Sequence, residues 1–217
     1  MTRKTIALIR SLRPEQWLKN GFVLAPLVFS GMLDDTSVWL ESMIAVAAFC
    51  AASSAVYLVN DVIDREADRR HPTKRARPIA SGEISVATAL VTAAFLVAAA
   101  MTAAWGLGGW FPMVLGGYIL LVVLYSAILK RVVFVDVLVL AAGFVLRVVG
   151  GAVAIDVPVS RWLLLCAYLL ALYLALGKRR TELALLGESA GTHREVLGHY
   201  TLSLVDQVIS VVLGATV

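Results

Sequence analysis

From Val38 to Asp68 the chain reads VWLESMIAVAAFCAASSAVYLVNDVIDREAD, an apolar run that turns abruptly acidic. Its apolar part, Val38–Asn60, is long enough to cross a bilayer, for which a helix needs roughly 20 predominantly apolar residues. Stretches of the same kind recur on both sides. We place spans at Gly21–Leu33, Val38–Asn60, Ile84–Gly106, Phe111–Leu129, Val132–Ile155 and Arg161–Gly177, with a seventh beginning near Thr201. The first is short and starts nearer Trp17 and Lys19, which sit at the interface. Sixty per cent of the 217 residues are hydrophobic and 16% are charged. A soluble core cannot absorb so much apolar surface, whereas a bilayer can. The sequence predicts an all-α, polytopic transmembrane bundle that forms one domain over residues 1–217. The connections Gly106–Gly109 and Asp156–Ser160 are tight, so successive helices run antiparallel. Ala94 and Ala98, four apart, are small residues suited to close helix contact.

The net charge of +4 and pI near 9.3 do not indicate nucleic acid, because the basic residues lie in short loops between apolar runs. That distribution sets orientation instead. With the amino terminus inside, segments 1–20, 61–83, 130–131 and 178–200 face the cytoplasm and hold 5, 6, 2 and 4 of the 19 basic residues. Arg161 falls outside and Arg147 within a span. Cys50 and Cys166 lie inside spans and read as packing residues without a disulfide. No cleavable signal peptide is expected, since Arg3, Lys4, Arg10, Arg13 and Lys19 precede no small-residue cleavage site. The last apolar segment is cut at Val217, which leaves two readings: a longer protein represented in part, or a chain that stops unusually early.

After Val38–Asn60 comes Asn60-Asp61-Val62-Ile63-Asp64-Arg65-Glu66-Ala67-Asp68. If the helix continues past the membrane, Asn60, Asp64 and Asp68 share one face. Like charges at that spacing repel, so they add nothing to an isolated helix. Magnesium, which takes oxygen ligands and is often held by one or two carboxylates plus phosphates, gives them a purpose. A solvated helix end is the alternative. Next come the bases of Arg69-Arg70-His71-Pro72-Thr73-Lys74-Arg75-Ala76-Arg77-Pro78, closed by Gly82. Arg and Lys there suit phosphate oxygens, although lipid headgroups would also account for them.

The pattern Asn60-Asp61-x-x-Asp64-x-x-x-Asp68 resembles the first aspartate-rich motif of the UbiA superfamily of membrane prenyltransferases. The longer string through His71-Pro72-x-Lys74-Arg75-x-Arg77-Pro78-Ile79-Ala80-Ser81-Gly82 is similar to the decaprenyl-phosphate phosphoribosyltransferase branch. So is Arg13-Pro14-x-Gln16-Trp17-x-Lys19-Asn20. The resemblance implies the UbiA bundle, of which about seven spans are present and the closing carboxy-terminal helices absent.

A second polar set follows: Tyr125-Ser126-x-x-x-Lys130-Arg131, then Asp136, Gly143 and Arg147 near one face of the fifth span. Ionisable residues inside a span are site candidates by default. Asp136 and Arg147 are roughly 16 Å apart along the axis and cannot pair directly, so each requires another partner or a wet cavity. The sixth span ends in Gly177-Lys178-Arg179-Arg180-Thr181-Glu182. Superfamily members mostly carry a second aspartate-rich motif at the corresponding place, and its replacement by bases suits a donor with an additional phosphate. A simple Lys178–Glu182 surface pair is the alternative. His71, His193 and His199 lack metal-ligand spacing, and Asp206 lies in the final apolar run.

The resemblance implies transfer of 5-phosphoribosyl from phosphoribosyl pyrophosphate to a polyprenyl (decaprenyl) phosphate, with loss of pyrophosphate, supplying lipid-linked arabinose for the cell wall. Magnesium would sit on Asn60, Asp64 and Asp68, with Asp61 and Asp136 as further catalytic candidates. Lys19, Lys74, Arg75, Arg77, Tyr125, Lys130, Arg147, Lys178, Arg179 and Glu182 would contact substrate. The implied setting is a bacterial plasma membrane with the site cytoplasmic; self-association is left open. Two other readings compete: prenyl transfer from a prenyl diphosphate to an aromatic or other acceptor, and a non-enzymatic transporter or lipid-binding protein.

Overall fold

The computed structural model describes residues 3–186 and 198–216. Among these the secondary structure is helical throughout, which suits a bilayer because a helix satisfies its backbone groups internally. In chain order come α1 (Arg3–Leu12), a 3-10 segment (Pro14–Leu24), α2 (Ala25–Ser30), α3 (Thr36–Ile63) and α4 (Arg65–Arg70). They are followed by α5 (Pro78–Ser81), α6 (Val86–Leu107), α7 (Phe111–Ala127), α8 (Val135–Ala154), α9 (Arg161–Leu186) and α10 (Leu202–Gly214). Four described helices, α3, α6, α8 and α9, are long and apolar enough to cross a membrane. Helices α7 and α10 are apolar but only 17 and 13 residues long, so the count of seven spans is not reproduced.

The expected first span, Gly21–Leu33, differs most. The helical path begins at Pro14 and stops at Gly31, whose φ of 75° is left-handed, leaving Met32 and Leu33 outside it. The 3-10 segment rises about 2 Å per residue, so it and α2 together reach roughly 30 Å. The segment is also narrow, and α8 packs hard against it. A Cβ added at Gly151 would stand 1.9 Å from the Val23 carbonyl oxygen, and one at Gly150 would stand 2.6 Å from the Phe49 ring. This pair of glycines lets backbones meet where any side chain would hold them apart.

Helix starts follow local chemistry. Asp35 caps α3 by accepting from the Ser37 amide at 2.8 Å, and Ser85 caps α6 by accepting from the Thr88 amide at 3.1 Å. Helix α3 is central: 56% of its apolar window is buried, against 17% for α6, which leaves most of α6 to face lipid. The contact between them does not use Ala94 and Ala98, which are exposed. Buried Ala89, Ala93, Ala100 and Ala104 form the small-residue face of α6 instead. Phe49, Phe111, Leu115 and Tyr118 fill the core between α3 and α7, with Phe49 and Phe111 edge to face at 6.0 Å. A second cluster joins α8, α9 and α10 through Val137, Leu172, Leu176 and Val205. Cys50 and Cys166 are free thiols, and Cys166 is exposed.

The topology puts the connections 64–85 and 128–134 and the end of α9 at one end of the bundle. Exposed Trp39, Trp105, Trp110 and Trp162 lie near helix termini at the other, as membrane-interface tryptophans do.

Candidate active site

Helix α3 does not run on through the acidic segment. It ends at Ile63, Asp64 is the junction, and α4 starts at Arg65 on a new course. The expected single face of Asn60, Asp64 and Asp68 is therefore broken. The reason is charge pairing. Asp61 accepts from Arg13 at 2.5 Å and from Arg77 at 3.1 Å, while the same Arg77 nitrogen donates to Asp68 at 2.7 Å. Both carboxylates are buried. Buried charge is tolerated only when paired, and turning α4 brings Asp68 round to share Arg77 with Asp61. Arg69 donates to the Ala80 carbonyl at 3.0 Å and fastens α4 to α5. His71 Nδ1 accepts from the Thr73 amide at 3.3 Å and orders the turn leading to Lys74.

Asp64 is left facing outward, its side chain 44% exposed and Lys130 Nζ 4.0 Å away. Beside it Asn60 donates to Ser126 Oγ at 2.8 Å, which turns its amide oxygen away from that hydroxyl. These two residues are hard oxygen donors that open into a cavity of about 600 Å³ between α3, α7, α8, α9 and the 3-10 segment. Among the described residues no three His, Cys, Asp or Glu side chains are grouped to hold a metal alone. The donor set nevertheless fits magnesium, which takes one or two protein carboxylates and completes its shell with substrate phosphates and water. Asp68 is engaged by Arg77 and does not line this cavity.

The cavity brings together most of the residues expected from sequence: Asn60, Asp61, Asp64, Lys19, Lys74, Arg77, Tyr125, Lys130, Arg147, Lys178 and Glu182. It does not include Asp68, Arg75, Asp136 or Arg179. It adds Arg13, Tyr57, His71, Tyr118 and Phe144. Arg13 is a non-glycine residue at φ 55°, left-handed, so the corner between α1 and the 3-10 segment aims its guanidinium at Asp61 and over the Tyr57 ring, 4.8 Å away. Seven basic side chains, Arg13, Lys19, Lys74, Arg77, Lys130, Arg147 and Lys178, line the space against three acidic ones, Asp61, Asp64 and Glu182.

Arg147 and Asp136 found the separate partners that their spacing demanded. Arg147 donates to the Asn20 side-chain oxygen at 2.8 Å, the Gly143 carbonyl at 2.9 Å and the Tyr118 hydroxyl at 2.8 Å. All three are neutral, so its charge is solvated by dipoles and not cancelled. Asp136 is fully buried and accepts from Arg179 Nε at 2.9 Å and the Tyr200 hydroxyl at 2.7 Å. Burial first, then the bond to Asp136, pushes the Tyr200 phenol pKa up. Arg179 also donates to Glu182 at 2.8 Å. Its guanidinium is 2% exposed and engaged by two carboxylates, and it does not line the cavity. Lys178, on the next position of α9, points into the cavity with Glu182 at 4.0 Å.

Lys19 lines the cavity and donates to the Gln16 side-chain oxygen at 2.6 Å. Asp206 pairs with Arg180 at 2.6 Å away from the cavity. His199 is exposed, while His193 lies outside the described residues.

The structure is thus a helical bundle with apolar, membrane-length helices that gathers an open carboxylate and an excess of cations at one end. Residues 23–178 match the model of the UbiA prenyltransferase family, and the chain belongs to that family. It is 40% identical over 200 residues to the decaprenyl-phosphate phosphoribosyltransferase of Mycolicibacterium smegmatis, a match covering 90% of this chain and 63% of that protein. The protein of the same description from Mycobacterium tuberculosis is 38% identical over 197 residues, covering 89% of this chain and 65% of the relative. The chain thus spans just under two thirds of the length of these relatives. In structure it is similar to a UbiA homolog from Archaeoglobus fulgidus bound to GPP and Mg2+, with a TM-score of 0.77 and 21% identity over 97% of this chain and 75% of the other. That likeness establishes the fold. The chain is accordingly a multi-pass membrane protein with a UbiA-type fold.

Proposed function

We propose that this protein moves 5-phosphoribosyl from phosphoribosyl pyrophosphate to a polyprenyl phosphate. One observation carries the reading: seven bases against three acids in one cavity, with Asp64 open toward Lys130. A donor with a diphosphate at one end and a phosphate at the other matches such an excess of positive charge. The relatives' description agrees with it. In the reaction, a phosphate oxygen of the lipid bonds to C1 of the ribose and the bond from C1 to the pyrophosphate oxygen breaks. The nucleophile is already anionic, so no strong general base is required. Asn60 and Asp64 would hold magnesium, which when bound supplies Lewis-acid neutralisation of the departing pyrophosphate. Lys74 and Lys130 orient the phosphates, and Arg77, fixed by Asp61 and Asp68, adds positive field that needs no reorganisation during the reaction. Asp68 acts by holding Arg77, and Asp136 by holding Arg179. The 17 basic residues in the segments assigned inside support a cytoplasmic setting for this end in a bacterial cell, and the product fits a precursor of lipid-linked arabinose for the cell wall.

The test is full-length protein in membranes supplied with labelled phosphoribosyl pyrophosphate, polyprenyl phosphate and magnesium. Label should pass into the lipid extract and pyrophosphate should accumulate. Turnover of a prenyl diphosphate onto an aromatic acceptor, with no label in the lipid phosphate, would establish the prenyltransferase reading instead.

A further inference from the structure

The loop that carries Lys130 into the cavity is held by a residue outside it. The loop runs from the end of α7 at Ala127 to the start of α8 at Val135, with a 3-10 turn over Leu129–Arg131. Its first end is tied within the site, where Asn60 donates to Ser126 Oγ at 2.8 Å. Its other end turns through Phe134, whose φ of 63° and ψ of −37° are costly for any residue with a β-carbon. Such a corner persists where its surroundings over-determine it. The Phe134 amide donates to the Tyr200 hydroxyl at 2.7 Å, and the two rings meet edge to face at 5.4 Å. Tyr200 precedes α10, 66 residues along the chain; it is 4% exposed and does not line the cavity. The same hydroxyl donates to Asp136 at 2.7 Å. A hydroxyl that donates to a carboxylate becomes a better acceptor, so the Asp136 charge strengthens the hold on the Phe134 amide. Asp136 is fixed in turn by Arg179 of α9 at 2.9 Å. Lys130 lies four residues before the corner, with its ammonium 4.0 Å from Asp64.

We propose that Tyr200 is a positioning residue for phosphate binding: by holding the strained Phe134 corner against Asp136, it sets the 128–134 loop so that Lys130 meets a phosphate beside Asp64. That this phosphate belongs to the donor's pyrophosphate rests on the phosphoribosyl-transfer reading. A lysine on a loose loop would lose freedom each time a phosphate bound, whereas one on a loop set beforehand loses little. Tyr200 itself touches no substrate and acts through Lys130.

Binding, not turnover, tests the idea. Full-length protein in nanodiscs is titrated with magnesium pyrophosphate, with no lipid acceptor added, and thermal unfolding is followed in parallel. Lys130→Ala should weaken binding by about ten- to a hundredfold, the effect of one charge-assisted contact. Tyr200→Phe keeps the ring against Phe134 and removes the hydroxyl alone; it should weaken binding by about two- to tenfold, the effect of one hydrogen bond between neutral groups. In the double variant the Tyr200 change should add nothing to the Lys130 loss, because a residue that acts through another is not additive with it. Losses that multiply would overturn the proposal, as would wild-type binding by Tyr200→Phe whatever its Tm, and Tyr200 would then be a structural residue. If Tyr200→Phe does not fold, hydrogen exchange of the unaltered protein decides. The amides of residues 129–136 should be protected before any ligand is added and change little when magnesium pyrophosphate binds. A segment that exchanges freely until the ligand arrives is ordered by the ligand and not by Tyr200, which also overturns the proposal. Coupled variants in a protein that passes no label from phosphoribosyl pyrophosphate to lipid remove the reaction and leave Tyr200 its role. Transfer with additive variants removes the role of Tyr200 alone.

Discussion

Replacing Arg179 by Ala separates a structural arginine from a substrate-binding one. Its guanidinium is 2% exposed and joins Asp136, which is fully buried, at 2.9 Å, with Glu182 as its second carboxylate. Truncation removes the buried guanidinium from the Asp136 charge, to which the Tyr200 hydroxyl still donates. Removing one partner of a buried ion pair costs about 3–5 kcal/mol. For a chain of this size each kcal/mol moves Tm by roughly 2–4 °C, so a fall of roughly 6–20 °C is expected. Lys178→Ala is the contrast: its side chain is 72% exposed and 4.0 Å from Glu182, so its effect on stability should stay below about 1 kcal/mol. Thermal unfolding of the two purified variants in one detergent, alongside KM for each substrate, makes the comparison. An unchanged Tm for Arg179→Ala together with a raised donor KM would refute the reasoning and return Arg179 to the phosphate. The companion change Asp136→Asn should also destabilise, because Arg179 then loses its buried counter-charge.

Three other outcomes follow from the same geometry. Asp64→Asn should raise the magnesium concentration needed for half-maximal turnover, while Asp68→Asn should lower activity at unchanged magnesium dependence, since Asp68 holds Arg77; identical magnesium curves for the two would erase the distinction. Gly151→Ala places a Cβ 1.9 Å from a backbone oxygen that has no rotamer to escape by, so expression in folded form should drop sharply, whereas Gly177→Ala, with nothing within 4 Å, should be neutral. Cysteines introduced singly at residues 69–77 should label from the cytoplasmic side and those at 34–36 from the opposite side; labelling of both from one side would overturn the orientation.

Much of this was legible from pattern alone. The long helices α3, α6, α8 and α9 fall close to the apolar runs that announce them, since an apolar stretch of that length has few other homes. The acidic segment stood out in the sequence as a candidate site, yet the way its charges pair was not legible there. Spacing along a helix puts Asn60, Asp64 and Asp68 together, but Asp61 and Asp68 are claimed by Arg13 and Arg77, 48 and 16 residues from Asp61. Local periodicity contains no trace of such long-range charge pairs. The same holds for Arg147, whose partner Asn20 is 127 residues away. A usable signal was present there: an arginine within a span must find a partner, and Asn20 stands in the amino-terminal motif. The small-residue face of α6 was misplaced because alanines fall on every side of that helix, so which Ala turns inward depends on α3.

The fate of the carboxylates bears most directly on chemistry. Counted by type, the polar end of the bundle offers enough acids for a rich metal centre. Counted by partner, it does not. Arg13 and Arg77 take up Asp61 and Asp68, and Arg179 takes up Asp136 and shares Glu182. These ion pairs fix three arginines, and through them the loop after α3 and the α8–α9 contact, at the cost of acids that spacing would have assigned to metal. Asp64 is the carboxylate that remains turned to the cavity without a guanidinium. In the proposed reaction such a site would bind magnesium chiefly through substrate phosphates and would meet the rest of the substrates' negative charge with its own lysines and arginines. That division suits two phosphorylated substrates meeting at one carbon, where positive charge is needed on both sides of the reacting centre and a protein base on neither.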